Sequence, residues 1–427
     1  FRTGAADVVR ARLTDLLLHA GRTVPFYRNR IDPDLAKSDP FEALRALPIV
    51  KRWDLMGERA RDRTSQDTLG TLRSMTTSGT TGEPLTVLMD SGYEDWNTAS
   101  LLLFRSWAGW RPGDSILRIW GSLRDILGDS ETVRTKVSEL LGRSMTINAL
   151  RMAPEEIPGF VERIDRFRPR LVECYASGGY FFAREVLRQG LRLNWRPKGV
   201  TTTADTLLPA MERTMKEVFG VAVTNRYSAR EAGRMAATCP EGGRLHVNPF
   251  THYIETVDDA GYPVTGRPGR IVVTVLTNRA MPLIRYDIGD WGTLDEGASC
   301  LCGRDWQTLS SIDGKAVTSF LRRDGTEVHS YALLNIIGLG HGQGVYDVYQ
   351  AVQEDYGRFL ILAVLSGHGV ALDGRVRRAE ENITRDIRRI FGQDTEVLFR
   401  YVDRIPPTAS GKYVSEVCLV PRRGAEG

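Results

Sequence analysis

No stretch of eighteen apolar residues occurs in the 427-residue sequence, which excludes an ordinary membrane-spanning helix. The N-terminus, Phe1-Arg2-Thr3-Gly4, has no apolar core of the kind a secretory leader needs, so a soluble, cytoplasmic protein with no membrane partner is expected. The absence of an initiating Met suggests a chain that starts inside a longer product. Cysteine is scarce. The five, at positions 174, 239, 300, 302 and 418, are too few and too unevenly spaced for a disulfide framework, but enough for one metal site. Nor does one sign of charge dominate: 57 basic residues face 53 acidic ones, a formal net charge of +4, which argues against a nucleic-acid partner and in favour of small anions. The length exceeds one hydrophobic core, so a large domain and a smaller one are expected.

Apolar residues recur at helical spacing near the start (Val8, Val9, Leu13, Leu16, Leu17, Ala20), predicting a helix that ends at Gly21. Val24-Pro25-Phe26-Tyr27-Arg28 then reads as a turn anchored by an aromatic pair. A second amphipathic helix is expected over residues 93–108, and Trp107, Trp110 and Trp120 form a cluster that belongs either to a core or to a pocket wall. From 112 to 226, short apolar runs (115–120, 171–175, 199–203) alternate with helical stretches (131–141, 155–167, 179–189, 208–219), the pattern of α/β layering with parallel strands. Strand-like segments dominate from 244 to 294 (245–247, 252–257, 270–276), marking a β-rich subdomain. The remainder reads strand 345–353, strand 359–365, charged helix 371–391 and strand 396–401. The expected fold class is therefore α/β: a large N-terminal domain over residues 1–314, layered α/β with a β-rich subdomain, and a small mobile C-terminal α+β lobe over 315–427. Within that lobe, Gly338-Leu339-Gly340-His341-Gly342-Gln343-Gly344 has the wrong glycine spacing for a dinucleotide fingerprint and reads as a flexible loop.

The stretch richest in chemistry is Met75-Thr76-Thr77-Ser78-Gly79-Thr80-Thr81-Gly82-Glu83-Pro84, five hydroxyls and two glycines ahead of the apolar residues 85–89. Glycines let backbone N–H groups approach a polyphosphate and the hydroxyls donate to its oxygens, although the same composition also makes a plain hairpin tip. It is not a Walker loop, because Glu83 stands where that motif needs lysine.

Four further pieces follow: Asn225-Arg226-Tyr227-Ser228-Ala229-Arg230-Glu231, Arg285-Tyr286-Asp287-Ile288-Gly289-Asp290, Ile312-Asp313-Gly314-Lys315 and Pro407-Thr408-Ala409-Ser410-Gly411-Lys412. Together with residues 76–84 they resemble, in order, the signature motifs of the adenylate-forming superfamily of acyl-CoA ligases, and most of all its phenylacetate-CoA ligase-like branch. The similarity spans nearly the whole chain, including Leu16-Leu17-Leu18-His19-Ala20 and Val24-Pro25-Phe26-Tyr27-Arg28 near the start.

The resemblance implies an enzyme that activates a carboxylic acid, expected to be aromatic, with ATP and Mg²⁺ as an acyl-adenylate and then passes the acyl group to CoA. Alternatives are an AMP-releasing ligase whose acceptor is an amine, another nitrogen species or a carrier protein, and an inactive relative that only binds nucleotide. Partners would be the small-molecule acid and CoA or another acceptor, with a homodimer and a monomer both open. In this resemblance Thr77, Ser78, Gly79, Thr80, Thr81 and Gly82 hold the phosphates, Tyr227 faces adenine with Asn225 and Arg226 near its edge, and Ser228 belongs to the same cofactor-binding stretch. Glu231 holds Mg²⁺, Asp290 accepts the ribose hydroxyls, and Ala204 and Asp205 line the acyl and nucleotide pocket. Lys412 bridges the carboxylate and the α-phosphate as charge builds. The plainer alternatives are a core aromatic for Tyr227, a helix N-terminal charge for Glu231, a turn residue for Asp290 and a solvated lysine for Lys412.

The sequence departs from the superfamily at the lobe boundary. Where the pattern is Gly-Arg-x-Asp, this chain has Gly314-Lys315-Ala316-Val317: Lys315 keeps the ribose-side charge without the guanidinium fork, and Val317 is a stiff, uncharged hinge, which puts the CoA step in question. A second cluster concerns metal. Cys239, His246, Cys300 and Cys302 make a Cys₃His set, the donor set of a closed structural zinc site; three reduced thiols in a core are the alternative, and some members of the resembling branch carry such a zinc. Cys174 and Cys418 lie in apolar runs and read as packing residues.

Overall fold

The structure, a computed structural model, describes residues 4–67, 70–76, 85–120, 143–149, 152–241, 243–295, 300–315, 319–329, 333–342, 344–366, 373–406 and 414–420. The helix expected over 131–141 lies outside the described residues. Two compact units form, each discontinuous in sequence: Phe1–Pro112 with Thr224–Gly314, and Gly113–Val223 with Lys315–Gly427. Among the described residues no helix is long and apolar enough to cross a membrane.

In the first unit the apolar stripe at the start folds as α1 (Ala5–Thr23). It runs past Gly21 and stops at Val24, the residue before Pro25, where the following ring disfavours helical backbone. Asp32 and Asp39 cap α2 (Pro33–Ser38) and α3 (Pro40–Arg45), each carboxylate accepting two first-turn N–H groups ahead of a proline. Leu13, Leu16 and Leu17 of α1 are buried with Tyr27, Leu44, Leu276 and Ile284. After the short α4 (Arg59–Asp62), β1 (Arg73–Thr76) and β2 (Thr86–Met89) pair antiparallel with Thr76 opposite Thr86. Asp90 then accepts the Tyr93 N–H at 2.8 Å and starts α5 (Ser91–Trp107).

The main sheet of this unit uses β7 (Val223–Ala229), β8 (Gly233–Thr238), β9 (Leu245–Val247), β10 (His252–Val257), β11 (Gly269–Val275), β12 (Tyr286–Leu294) and β13 (Thr308–Lys315). Their order is β10-β11-β12-β13-β9-β8-β7. Val87, Met89, Tyr93, Tyr227, Met235, Val247, Ile254, Ile271, Val273 and Tyr286 make its buried cluster.

The second unit has parallel strands β3 (Ile116–Trp120), β4 (Ser144–Asn148), β5 (Leu171–Tyr175) and β6 (Gly199–Thr203) in the order β6-β5-β3-β4. Every residue of β5 and β6 is buried, as parallel strands covered on both faces require. Helices α6 (Ile157–Phe167), α7 (Ala176–Arg188) and α8 (Pro209–Phe219) contribute Phe182, Met211, Met215 and Phe219 to a core with Leu117, Val172 and Cys174.

The remainder of this unit contains the hairpin β14 (Ser319–Leu321) and β15 (Glu327–His329), then β16 (Tyr346–Asp355) and β17 (Arg358–Leu365), α9 (Asp373–Phe391), β18 (Glu396–Tyr401) and β19 (Glu416–Cys418). The four strands β16 to β19 stand in the order β18-β17-β16-β19, and Ala379, Ile383, Ile387 and Phe391 of α9 pack with Phe359 and Ile361. The glycine-rich segment is not the free loop expected. Leu334–His341 forms a widened helical turn with Ile337 buried, closed by the Gly342 N–H donating to the Ile337 carbonyl at 3.0 Å. A Cβ at Gly342 would collide with that carbonyl, so this glycine serves a close backbone approach.

Candidate active site

The arms of the hydroxyl-rich loop are β1 and β2, joined near the tip by a 3.1 Å contact between the Thr76 and Thr86 hydroxyls. Thr77, Ser78, Gly79, Thr80, Thr81 and Gly82 lie outside the described residues, as do Val317 and Lys412. Lys315 closes β13.

Three predicted residues of the first unit are brought together by side-chain contacts between strands that do not pair with each other. Asn225, Arg226, Tyr227 and Ser228 all lie on β7, where Arg226 and Tyr227 are buried and the Asn225 N–H donates to the Thr238 hydroxyl at 3.0 Å. The Tyr227 hydroxyl donates to Asp290 Oδ2 at 2.7 Å. Burial, then the adjacent Asp290 charge, push the Tyr227 phenol well above its ordinary range, so it stays a donor. By packing Tyr227 is a core aromatic, and its hydroxyl nonetheless reaches the ribose candidate. Asp290 does not stand in a turn: it lies inside β12, in a bulge where residues 288–290 face Ile271 alone, and Gly289 (φ +79°) supplies the left-handed backbone the bulge needs.

Glu231 is not at a helix terminus either. It sits in the β7–β8 turn, 8% exposed, with the Tyr286 hydroxyl donating to Oε1 at 3.3 Å. No protein donor among the described residues reaches Oε2, so one oxygen is held and the other is open, as a carboxylate that takes a hard cation requires. The neighbouring Arg285 belongs to the framework: buried, at φ +50°, it donates to Glu255 Oε2 at 3.2 Å and to the Leu47 carbonyl at 2.8 Å.

In the second unit, Ala204 and Asp205 follow the carboxyl end of β6, the end at which parallel sheets offer ligand crevices. Asp205 Oδ2 accepts the Ser177 N–H at 3.1 Å and its hydroxyl at 2.5 Å. Ala204 has φ +77°, a conformation that costs a Cβ-bearing residue about 1–2 kcal/mol and that concentrates at functional sites.

Strand pairing also explains the metal set. His246 on β9 is opposite Ala237 of β8 and Thr308 of β13, so Cys239, just after β8, and Cys300 and Cys302, just before β13, arrive beside it despite their separation in sequence. The four donor atoms all lie within 4.8 Å of one another, with Cys239 Sγ to Cys300 Sγ and Cys302 Sγ to His246 Nε2 both at 3.4 Å. A zinc tetrahedron with Zn–S near 2.3 Å and Zn–N near 2.0 Å has edges of roughly 3.5–3.8 Å, so the residues fit that ion. Burial, with the charges of Arg304 and Arg244, holds His246 below its ordinary range and hence neutral, the ligating form. Burial pushes the Cys300 thiol up; for Cys302, burial is outweighed by hydrogen bonds from Arg304, and its thiol lies below the ordinary range. Trp107 and Trp306 stand edge-on to the imidazole at 6.1 and 6.4 Å. Trp107 therefore walls the metal set, where the sequence left it between core and pocket. Cys174 is fully buried and packs in the core of the second unit.

This fold is that of the adenylate-forming ligases. The chain superposes on 2-hydroxyisobutyryl-CoA ligase in its postadenylation state with TM-score 0.70, over 96% of this chain and 88% of that one at 18% identity. It superposes on the anthranilate CoA ligase AuaEII with TM-score 0.50, over 79% and 65% at 16% identity. By sequence the chain is homologous to the phenylacetate-coenzyme A ligase of Thermus thermophilus, 28% identical across 94% of this chain and 93% of that protein. It is also homologous to protein CapK of Staphylococcus aureus, 22% identical across 80% and 73%, and residues 320–416 match the CapK C-terminal domain.

Proposed function

We propose that this protein is an AMP-forming acid ligase that converts a carboxylic acid and ATP to an acyl-adenylate and pyrophosphate, then transfers the acyl group to CoA. The observation that carries the reading is that the motif holding Tyr227 and Glu231 meets the motif holding Tyr286 and Asp290, through Tyr227 to Asp290 and Tyr286 to Glu231, in a homologue of phenylacetate-coenzyme A ligase. Asp290, oriented by the Tyr227 hydroxyl, accepts the ribose hydroxyls, Lys315 takes the part of the superfamily's ribose-side cation, and Asn225 and Arg226 border the adenine, with Ser228 on the same nucleotide-binding strand. Thr77 to Gly82 cradle the phosphates, and Ala204 with Asp205 border the acid. Mg²⁺, held by Glu231, would neutralise phosphate charge. The acid's carboxylate oxygen attacks the α-phosphorus as the bond to pyrophosphate breaks, and Lys412 stabilises the charge that gathers there. An aromatic acid is the substrate class favoured by the homology to phenylacetate-coenzyme A ligase. Zinc, bound by Cys239, His246, Cys300 and Cys302, would leave no open position for water and so serves structure.

A second reading of the acceptor rests on Val317. A hinge without its carboxylate favours an amine, another nitrogen nucleophile or a carrier-protein thiol over CoA.

ATP–pyrophosphate exchange across a panel of acids, followed by addition of CoA or amines, tests both halves. Removing one charge about 4 Å from another at an effective dielectric near 20 forfeits roughly 4 kcal/mol, so Lys412→Ala should lose adenylation about a thousandfold while thioester formation from pre-made adenylate is largely spared. Near-normal exchange by Lys412→Ala would remove the proposed mechanism.

A further inference from the structure

The turn that carries Glu231 is fastened from three sides, each by a group to which the chemistry above gives no part. Tyr286, 1% exposed on β12, donates its hydroxyl to Glu231 Oε1. His252, 3% exposed on β10, meets the carbonyl of Ala232, the next residue, at 2.7 Å through Nε2. On the far side of the turn, Asn97 of α5 accepts the Arg234 N–H at 3.1 Å. Between these, Gly233 (φ +83°) allows the backbone to pass the Tyr93 hydroxyl, which a Cβ there would approach to 2.6 Å.

The proton positions follow from the partners. A carbonyl only accepts, so His252 Nε2 carries the hydrogen, and Nδ1 takes the Thr251 hydroxyl at 2.8 Å. The imidazole is thus locked in one tautomer. Tyr286, deep in the core, is likewise held in its protonated form, and its hydroxyl can only donate to a carboxylate. Both contacts act on the same two-residue segment from strands that are far from it in sequence.

We infer that Tyr286 and His252 are positioning residues for Glu231. Tyr286 engages one carboxylate oxygen so that the other stays free and aimed, and His252 fixes the backbone on which the carboxylate rides. This rests on the proposed role of Glu231 as the Mg²⁺ ligand. The two residues then set the enzyme's divalent-cation affinity without touching the ion or the substrate.

The test measures Mn²⁺ affinity by loss of the free-ion electron paramagnetic resonance signal, on full-length protein saturated with a non-hydrolysable ATP analogue. The Mg²⁺ dependence of pyrophosphate exchange is measured in parallel. Tyr286→Phe, which removes one hydroxyl, should weaken Mn²⁺ binding and raise half-saturating Mg²⁺ about fivefold, the worth of one hydrogen bond. The KM for the acid should stay unchanged. His252→Leu should do the same, and His252→Gln, which keeps a donor for the Ala232 carbonyl, should recover most of the loss. A merely structural role would lower thermal stability and active fraction without moving cation affinity. The inference is overturned if Tyr286→Phe, folded by thermal melt, binds Mn²⁺ as wild type does; that variant decides alone if His252→Leu fails to fold. Glu231→Gln separates the failures. If it leaves Mn²⁺ affinity intact, the role of Glu231 falls and the inference with it; if it abolishes affinity while Tyr286→Phe does not, only the inference falls.

Discussion

A histidine wrapped on every side titrates differently from one in water, and His252 shows what that costs. Burial lowers its pKa to about 4, against about 6.5 in an unfolded chain. Between those values the unfolded state takes up a proton that the folded state refuses, so stability falls as the pH drops through this window and is unaffected above it. The loss should reach about 2 kcal/mol by pH 5 and about 3 kcal/mol below pH 4. Urea unfolding at pH 7 and pH 5 should show it, and His252→Gln should flatten the difference. A wild type equally stable at both values would contradict the proton placement described above. At this scale the sequence was partly legible. Motifs picked out Tyr227, Glu231 and Asp290, because chemistry restricts which side chains serve. They were silent on Tyr286 as a partner of Glu231 and on His252, because those contacts join a turn to strands that do not pair with the ones flanking it, which local pattern does not encode. The strained φ of Ala204 is equally invisible in a one-letter string.

Elements were more readable than their neighbours. The runs predicted at 171–175, 199–203, 245–247 and 252–257 coincide with β5, β6, β9 and β10, because buried strands are short, apolar or β-branched, and bounded by turn residues; the run at 396–401 coincides with the half-exposed β18. β4, reading Ser-Met-Thr-Ile-Asn, has too little apolar content to stand out, and it is held by parallel pairing to β3. The glycines at 338 to 344 misled, since glycine marks both loose loops and close backbone contacts. The Cys₃His cluster also belongs to this scale, because a zinc bound there would tie the approach to β13 to the β8–β9 turn. Native protein should contain about one zinc per chain, and Cys302→Ser should lose it and melt roughly 5 °C or more lower with its catalytic constants changed little by comparison. A zinc-free native protein, or a Cys302→Ser variant as heat-stable as wild type, would leave the four residues as packed thiols and an imidazole.

For the whole molecule, Val317 bears on how the two half-reactions compare in rate. Val317→Asp should accelerate thioester formation more than adenylation, because it restores the carboxylate that the superfamily pattern carries at the hinge. Rapid-quench assays of the two steps would show it, and equal rates for both steps in the unmodified enzyme would remove the case for an acceptor other than CoA. A different consequence follows from the chain leaving the first unit at Pro112 and returning at Thr224. On the ribosome α1 emerges long before Leu276 and Ile284, the residues that help cover its apolar face. At about 5–20 residues per second, that face waits on the order of ten seconds or more for its partners, so the nascent chain offers a binding site for chaperones that the finished protein no longer has.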